Sequence, residues 1–272
     1  MSYAIFRSQP INTLKDLAQI GSHNKREKNF YNSNPDINIS KINDDIDIIA
    51  CDSKYNEKFF QITKEYKKEH DYKMKSVRKD RVRSFVQAVN ESKSVVADEM
   101  LFTSDYDFFK NMTRNEIVRW ANTCMQFVYE DLGYTKEQII HSVIHLDEKT
   151  PHLHCVVVPL IKKFDKRTNT EKYTISKKQY IKNNQHLSEL QDKYYERMRN
   201  NGFELERGIK NSDNEHLSLK EFKKITRKLD KQLTKESYAL NKSYDELKIT
   251  LEKSKPTITG NQIKISRETY ES

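Results

Sequence analysis

The stretch "IIHSVIHLDEKTPHLHCVVVPL" (139–160) constrains this chain's fold more than any other. His145, Glu148 and His152 stand three and four residues apart, a spacing that suits one face of a helix. Pro151 argues against that helix, because inside it the ring removes a hydrogen bond and clashes with the preceding turn. The β-branched, alternating flanks favour strands. The segment therefore reads as two strands joined by a loop that holds Asp147, Glu148 and Pro151.

Side chains alternate faces along a strand, so His141, Val143 and His145 share one face of the first strand. His152, His154, Val156 and Val158 share one face of the second. Where the two faces coincide, His145, His152 and His154 converge. Three imidazoles leave coordination positions open, which a catalytic rather than a structural metal site requires. Glu148 reads as either a fourth ligand or a base outside the ligand set; Asp147 either points elsewhere or orients a histidine. His141 shares the face without an obvious partner and is assigned a structural role.

The remaining pattern predicts an α+β fold, with an antiparallel sheet carrying the active site and helices packed against its other side. Ser2–Arg7 reads as a strand ended by the Gln-Pro signal at 9–10. A brief helix over 11–20 is predicted to stop at Gly21, with Ser22 capping a new turn. "YNSNPDIN" (31–38) has loop chemistry. A strand is predicted at Ile46–Cys51, helices at 54–70 and 76–90, and a strand at Ser94–Phe102. Ile117, Trp120, Ala121, Cys124, Phe127 and Val128 recur at helical spacing within Thr113–Leu132, before Gly133. A further helix is expected at 176–200. Beyond Leu217, apolar positions at three-, four- and seven-residue intervals predict a long helix ended by Pro256. The chain thus divides into a domain over 1–208, a helical extension over 209–255 and a polar tail over 256–272.

The formal charge of +9 is concentrated. Residues 54–83 carry eleven Lys/Arg against five Asp/Glu, and residues 161–182 carry eight against two. Tyr and Phe interleave both runs, as a nucleic-acid surface needs, with cations for phosphates and rings for bases. The plainer alternative is a pair of solvated, Lys-rich surfaces. Cys51, Cys124 and Cys155 are the only cysteines and lack CxxC spacing. That favours a reducing compartment, and with no apolar signal core and no membrane-spanning run the expected location is the cytoplasm.

The hairpin pattern HxDExxPHxH, the upstream "HNKREKNFYNSNPDIN" and the downstream "GFELERG" resemble the MobV-type relaxases, the Pre/Mob plasmid mobilisation and recombination proteins. These are HUH endonucleases, named for two histidines flanking a hydrophobic residue, here Leu153. The similarity runs from about Ser2 to Gly208 and takes in "VRKDRVR" (77–83) and "FTSDYDFF" (102–109).

The resemblance implies an HUH-type antiparallel sheet with helices packed on it. It implies a strand transferase that nicks one DNA strand at a plasmid origin of transfer, keeps the 5′ phosphate covalently attached and later rejoins it. The implied cofactor is Mn²⁺ or Mg²⁺ on the histidine cluster, and Zn²⁺ is also expected to occupy such a site in purified protein. The implied nucleophile is His23, with Arg26 matching the arginine of the same motif. Asp44 stands where relatives often carry a tyrosine; Tyr31 and Tyr55 remain as alternatives in principle.

Lys162, Lys163, Lys166 and Arg167 follow the second metal strand and are expected to hold phosphates near the cut, with Arg78 and Arg81 as further DNA contacts. Expected partners are origin DNA, a coupling protein of a conjugation system and a second copy of the chain through the C-terminal helix. Two competing readings are a rolling-circle replication initiator of the same class and a DNA-binding module with structural zinc.

Overall fold

The computed structural model describes residues 2–27, 37–208, 219–253, 255–256 and 263–264. It divides into two compact units, Met1–Lys210 and Asn211–Ser272.

The first unit opens with β1 (Tyr3–Ile11), α1 (Leu14–Asn24), β2 (Ile46–Ile49), α2 (Tyr55–Ile62), α3 (Lys64–Met74) and α4 (Phe85–Asn90). It continues through β3 (Ala97–Thr103), α5 (Tyr106–Phe109), α6 (Arg114–Gln126), β4 (Ile139–His145), β5 (His152–Val157), β6 (Leu160–Asp165), β7 (Thr170–Ile175), α7 (Asn184–Asn200) and β8 (Glu206–Arg207). Six strands form one sheet in the order β2-β4-β5-β3-β1-β8, antiparallel except where β8 joins β1. β6 and β7 form a separate antiparallel hairpin.

Strand alternation sends the two faces of the sheet into two cores. Leu153, Cys155 and Val157 of β5 pack with Met100, Phe102, Trp120, Phe127 and Tyr194, under α6 and α7. Val156 faces the other way, with Leu17, Tyr55, Phe59, Phe85 and Val89 from α1, α2 and α4. Helices therefore cover both sides of the sheet. α6 and α7 lie on the side opposite the histidines, as expected, and α1, α2 and α4 cover the other side as well, with the histidines at the rim of that second core.

Several element ends differ from the sequence reading. β1 runs through Pro10, which pairs with Asp98. Beyond Ala4 its other edge has no strand partner among the described residues, so a missing donor is tolerated there. α1 does not stop at Gly21. It starts at the Thr13 cap, which shares a capping box with Asp16, and continues to Asn24. The helix predicted over 54–70 breaks at Thr63, whose hydroxyl donates to the Phe59 carbonyl at 2.7 Å. The helix predicted over 176–200 starts only at Asn184, capped by Asn183, after a short 3-10 turn at Lys177–Gln179.

In the second unit, α8 (Leu219–Lys253) is a single amphipathic helix. Among the described residues no helix is long and apolar enough to cross a membrane.

Candidate active site

β4 and β5 pair with His145 opposite His152 and Val143 opposite His154, so all three imidazoles stand on one face. Their ring centroids are 5.4 Å (His145–His152), 5.0 Å (His145–His154) and 5.0 Å (His152–His154) apart. Each ring is aimed by an acceptor at Nδ1. Asp45 accepts from His145 at 2.6 Å, Glu99 from His154 at 2.9 Å, and the Thr150 carbonyl from His152 at 2.9 Å. These bonds fix the Nδ1–H tautomer and leave Nε2 of each ring without its proton, Nε2 of His152 facing Glu148 at 3.8 Å. Nε2 of His145 and of His154 are buried without a hydrogen-bond partner. Buried imidazole nitrogens with no proton acceptor or donor opposite them suit metal ligation.

His23 joins this cluster from the last turn of α1. Its ring lies edge-on to His145 and His154, at 5.7 and 5.6 Å between centroids. Ligand atoms of His23, His145 and His154 all fall within 4.8 Å of one another. Burial, then His154 and then Arg26, push His23 down to about 4, so its neutral ring prevails near neutrality. Burial and the neighbouring imidazoles hold His145 far below the usual histidine range, and His152 moves the same way for the same causes.

Arg26 is 5% exposed and ties His23 to the hairpin loop. Its Nε and Nη2 donate to the two oxygens of Asp147 at 2.8 and 2.6 Å, and Nη2 also reaches Glu148 at 3.1 Å. Nη1 stands 3.3 Å from Nε2 of His23. The geometry depends on the end of α1. Glu27 N–H donates to the Ser22 carbonyl and Arg26 N–H to the His23 carbonyl, which closes the helix with Arg26 in the left-handed region at φ 52°. Glycine normally takes that place, so an arginine held there marks a strained position kept for its side chain.

Glu148 also lies 3.8 Å from Nε2 of His152, so its carboxylate sits between the arginine and the imidazoles. Asp147 does not orient a histidine; it anchors Arg26. Among the described residues, Asp45, Asp147, Glu148 and Glu99 surround the cluster against the guanidinium of Arg26. That excess of negative charge fits a divalent cation. Burial raises Asp45 to about 6, with the Asp147 charge adding to it, while the Leu146 N–H and Arg26 oppose. Burial is the largest influence and works to raise Glu99, but His154, Asn24 and His23 together more than offset it and Glu99 stays below the usual carboxylate range.

Sequence reasoning missed Asp45, Glu99 and Asn24, whose amide donates to Glu99 at 3.4 Å. His141 is bonded at both nitrogens, to the Tyr55 hydroxyl at 2.6 Å and Asp47 at 2.7 Å. Tyr55 is buried and its hydroxyl is pushed well above the ordinary tyrosine range by that burial, which disfavours it as a nucleophile. Tyr31 lies outside the described residues.

The basic residues lie elsewhere. Lys162, Lys163, Lys166 and Arg167 are exposed on the β6–β7 hairpin, which follows the end of β5 opposite His152 and His154. The backbone N–H of Tyr173 in β7 donates to Glu69 of α3 at 3.0 Å, so the two basic segments pack against each other there. Arg78 and Arg81 are exposed in the turn after α3, and Arg78 pairs with Asp80 at 2.5 Å.

The chain matches the plasmid recombination enzyme family (Mob_Pre) over residues 1–224. A plasmid recombination enzyme of a Bacillus species is 31% identical over 93% of this chain and 53% of its own length. One from Lactiplantibacillus plantarum is 29% identical over 85% and 56%. A type 1 enzyme from Staphylococcus aureus is 31% identical over 83% and 50%. The chain spans about half the length of these curated relatives. Among solved structures, the Mn-bound MobM relaxase domain in complex with plasmid pMV158 oriT DNA superposes with a TM-score of 0.63 at 28% identity, covering 82% of this chain and 98% of that one. A second crystal structure of that complex, at pH 4.6, gives 0.62 at 27% identity, covering 82% and 99%. With the histidine hairpin, the HxxR turn and this extent of match, the chain belongs to the plasmid recombination enzyme family.

Proposed function

We propose that this chain is a metal-assisted relaxase that nicks and rejoins one DNA strand at a plasmid origin of transfer. The observation that carries the reading is the placement of the His23 ring against His145 and His154, in an environment that keeps it neutral. His145, His152 and His154 hold the cation, with Glu148 at its margin. A bound divalent cation polarises a non-bridging phosphate oxygen and offsets charge at phosphorus.

The chain supplies the rest. The His23 lone pair forms an N–P bond as the P–O3′ bond breaks; the departing 3′ oxygen takes a proton from water, the ring's other N–H gives one back to solvent, and the 5′ phosphate stays on the ring as a phosphoramidate. Arg26 positions this ring through Nη1 and keeps it from acquiring a proton, while its other nitrogens are engaged by Asp147 and Glu148. Rejoining is the reverse attack by a 3′ hydroxyl.

Mn²⁺ or Mg²⁺ is the working ion in this reading, and Zn²⁺ binds the same imidazoles. The relative's Mn-bound state at pH 4.6 is consistent with histidines whose protonation is suppressed. The β6–β7 and α3 surface takes the DNA flanking the nick rather than the scissile phosphate. The relaxase domain is assigned to 1–208, acting in the cytoplasm. A second copy docking along α8 within the 209–255 extension and a coupling protein complete the proposal.

The test incubates the protein with Mn²⁺ and a supercoiled plasmid that carries the DNA flanking this chain's own gene. Protease digestion and mass mapping then locate the DNA-bearing residue. His23→Phe is expected to bind DNA and form no adduct. An adduct on a tyrosine overturns the assignment.

A further inference from the structure

We infer that Gly21 and Tyr55 form a steric stop that sets the position of His23 against the metal histidines, and that His141 and Asp47 lock this stop to strand β4. The inference rests on the reading of His23 as nucleophile.

A Cβ built on Gly21 would lie 2.8 Å from Cγ of Tyr55 and 3.1 Å from each Cδ. The tyrosine ring therefore rests directly on the α1 backbone, two residues before His23. Contact is at the root of the ring, where a rotamer change gives little relief, so any side chain at position 21 forces α1 and α2 apart.

The ring itself is held in place. It is 2% exposed, and its hydroxyl meets Nδ1 of His141 at 2.6 Å, with the two rings edge-on at 5.7 Å. Nε2 of His141 meets Asp47 at 2.7 Å. Four residues further along β4, His145 meets Asp45 at 2.6 Å. Asp45 and Asp47, just before and within β2, thus form two parallel carboxylate–imidazole pairs with β4. One aims a metal ligand, and the other fixes the ring on which the nucleophile's helix rests. The helix and His145 are referenced to the same strand, so their separation is set by two short contacts rather than by the long intervening chain. Asn24 adds a third tie, since its amide donates to Glu99, the residue that aims His154.

Tyr55, His141 and Gly21 are positioning residues here, and a shift of about 1 Å in a reacting group costs on the order of 100-fold in rate. The experiment compares Gly21→Ala, Tyr55→Phe and the double variant Gly21→Ala/Tyr55→Ala, whose alanine at 55 lacks the Cγ and Cδ atoms that meet the new methyl. Each is checked for folding by thermal melt and for Mn²⁺ affinity by calorimetry. Single-turnover nicking of the same supercoiled plasmid is then measured at saturating protein. A second readout, independent of activity, is Mn²⁺ broadening of the His23 ring signals in NMR, identified by their loss in His23→Phe.

Gly21→Ala is expected to bind Mn²⁺ within about twofold of the parent, to nick on the order of 100-fold more slowly, and to show altered His23 broadening. The double variant is expected to nick faster than Gly21→Ala alone, although it carries one more change, because the smaller side chain frees the space. Tyr55→Phe, which keeps the ring and loses its lock, is expected to lower the rate at saturating DNA with unchanged Mn²⁺ affinity. Parental broadening and rate in Gly21→Ala overturn the inference, as does a folded double variant that recovers neither. If the parent itself forms no nick, the functional reading fails while the NMR comparison still decides the position of His23.

Discussion

Arg26 and Asp147, 121 positions apart, meet through two hydrogen bonds of 2.8 and 2.6 Å in a buried fork. The pair joins the end of the first helix to the loop of the histidine hairpin. Removing one partner of a buried ion pair leaves the other charge uncompensated, which costs about 3–5 kcal/mol. Arg26→Met and Asp147→Leu are each expected to destabilise the protein by about that amount, and the double variant by clearly less than the two together. Urea denaturation of the four proteins measures the coupling. Additive losses would mean that the fork contributes nothing as a unit.

The carboxylates behind the imidazoles carry a separate prediction. Asp45 and Glu99 aim His145 and His154, so replacing them should leave these proposed ligands in place but loosen their orientation. Loss of such a partner typically weakens metal binding 10–100-fold, roughly 1.4–2.7 kcal/mol. Asp45→Asn and Glu99→Gln are expected to show this drop in calorimetric titration with Mn²⁺ while staying folded, and His145→Ala and His154→Ala to abolish the heat signal. Metal stripping with EDTA is expected to leave the parent folded and inactive, since the two cores lie beneath other elements. Unfolding on stripping would support structural zinc instead.

The histidines also set a pH dependence for the metal-free protein. His23 falls from 6.5 to about 4 on folding, chiefly through burial, and His145 and His152 shift in the same direction. A lowered histidine means that the unfolded chain binds the proton more readily. The stability it contributes is complete above 6.5 and declines as pH drops through 6.5 toward 4. Asp45, raised to about 6 by burial, runs the other way and offsets one such loss below 6, so in EDTA the melting temperature is expected to fall over that interval by what the three histidines together lose beyond it. A flat profile from pH 7 to 4.5 would contradict the buried, neutral imidazoles.

How much of this is legible in the sequence depends on whether a feature is local. The hairpin histidines are readable because a proline and a period of two leave few ways to place three rings. Gly21 reads as a helix stop because a glycine after a short apolar helix ordinarily ends it, and its real reason is Tyr55, 34 positions away. Asp45 and Asp47 precede and enter a strand in alternation, yet only the β2–β4 register reveals that they meet His145 and His141. Glu99 reaches His154 from a strand on the other side of β5. The β6–β7 hairpin is hidden because Lys-rich, exposed strands lack the apolar alternation that marks a half-buried one.

The placement of that hairpin yields a last prediction, which separates DNA grip from chemistry. Lys162, Lys163, Lys166 and Arg167 stand at the opposite end of β5 from the imidazoles, beside α3, with the Lys162 ammonium 5.1 Å from the Tyr173 ring centre. Cations that neutralise phosphates release counterions, and each neutralised phosphate adds about 0.9 to the slope of log affinity against log salt on duplex DNA. Changing the four to Gln is therefore expected to weaken binding and flatten that slope by about 0.9 for every phosphate left without its cation, measured by fluorescence anisotropy from 50 to 300 mM salt. Because these side chains do not touch the reacting phosphorus, the nicking rate at saturating DNA should stay within about threefold of the parent, well short of the 100-fold that a displaced reacting group costs. An unchanged slope would remove the hairpin from the DNA interface, whereas a collapse of the saturated rate with the slope intact would place these residues at the chemistry after all.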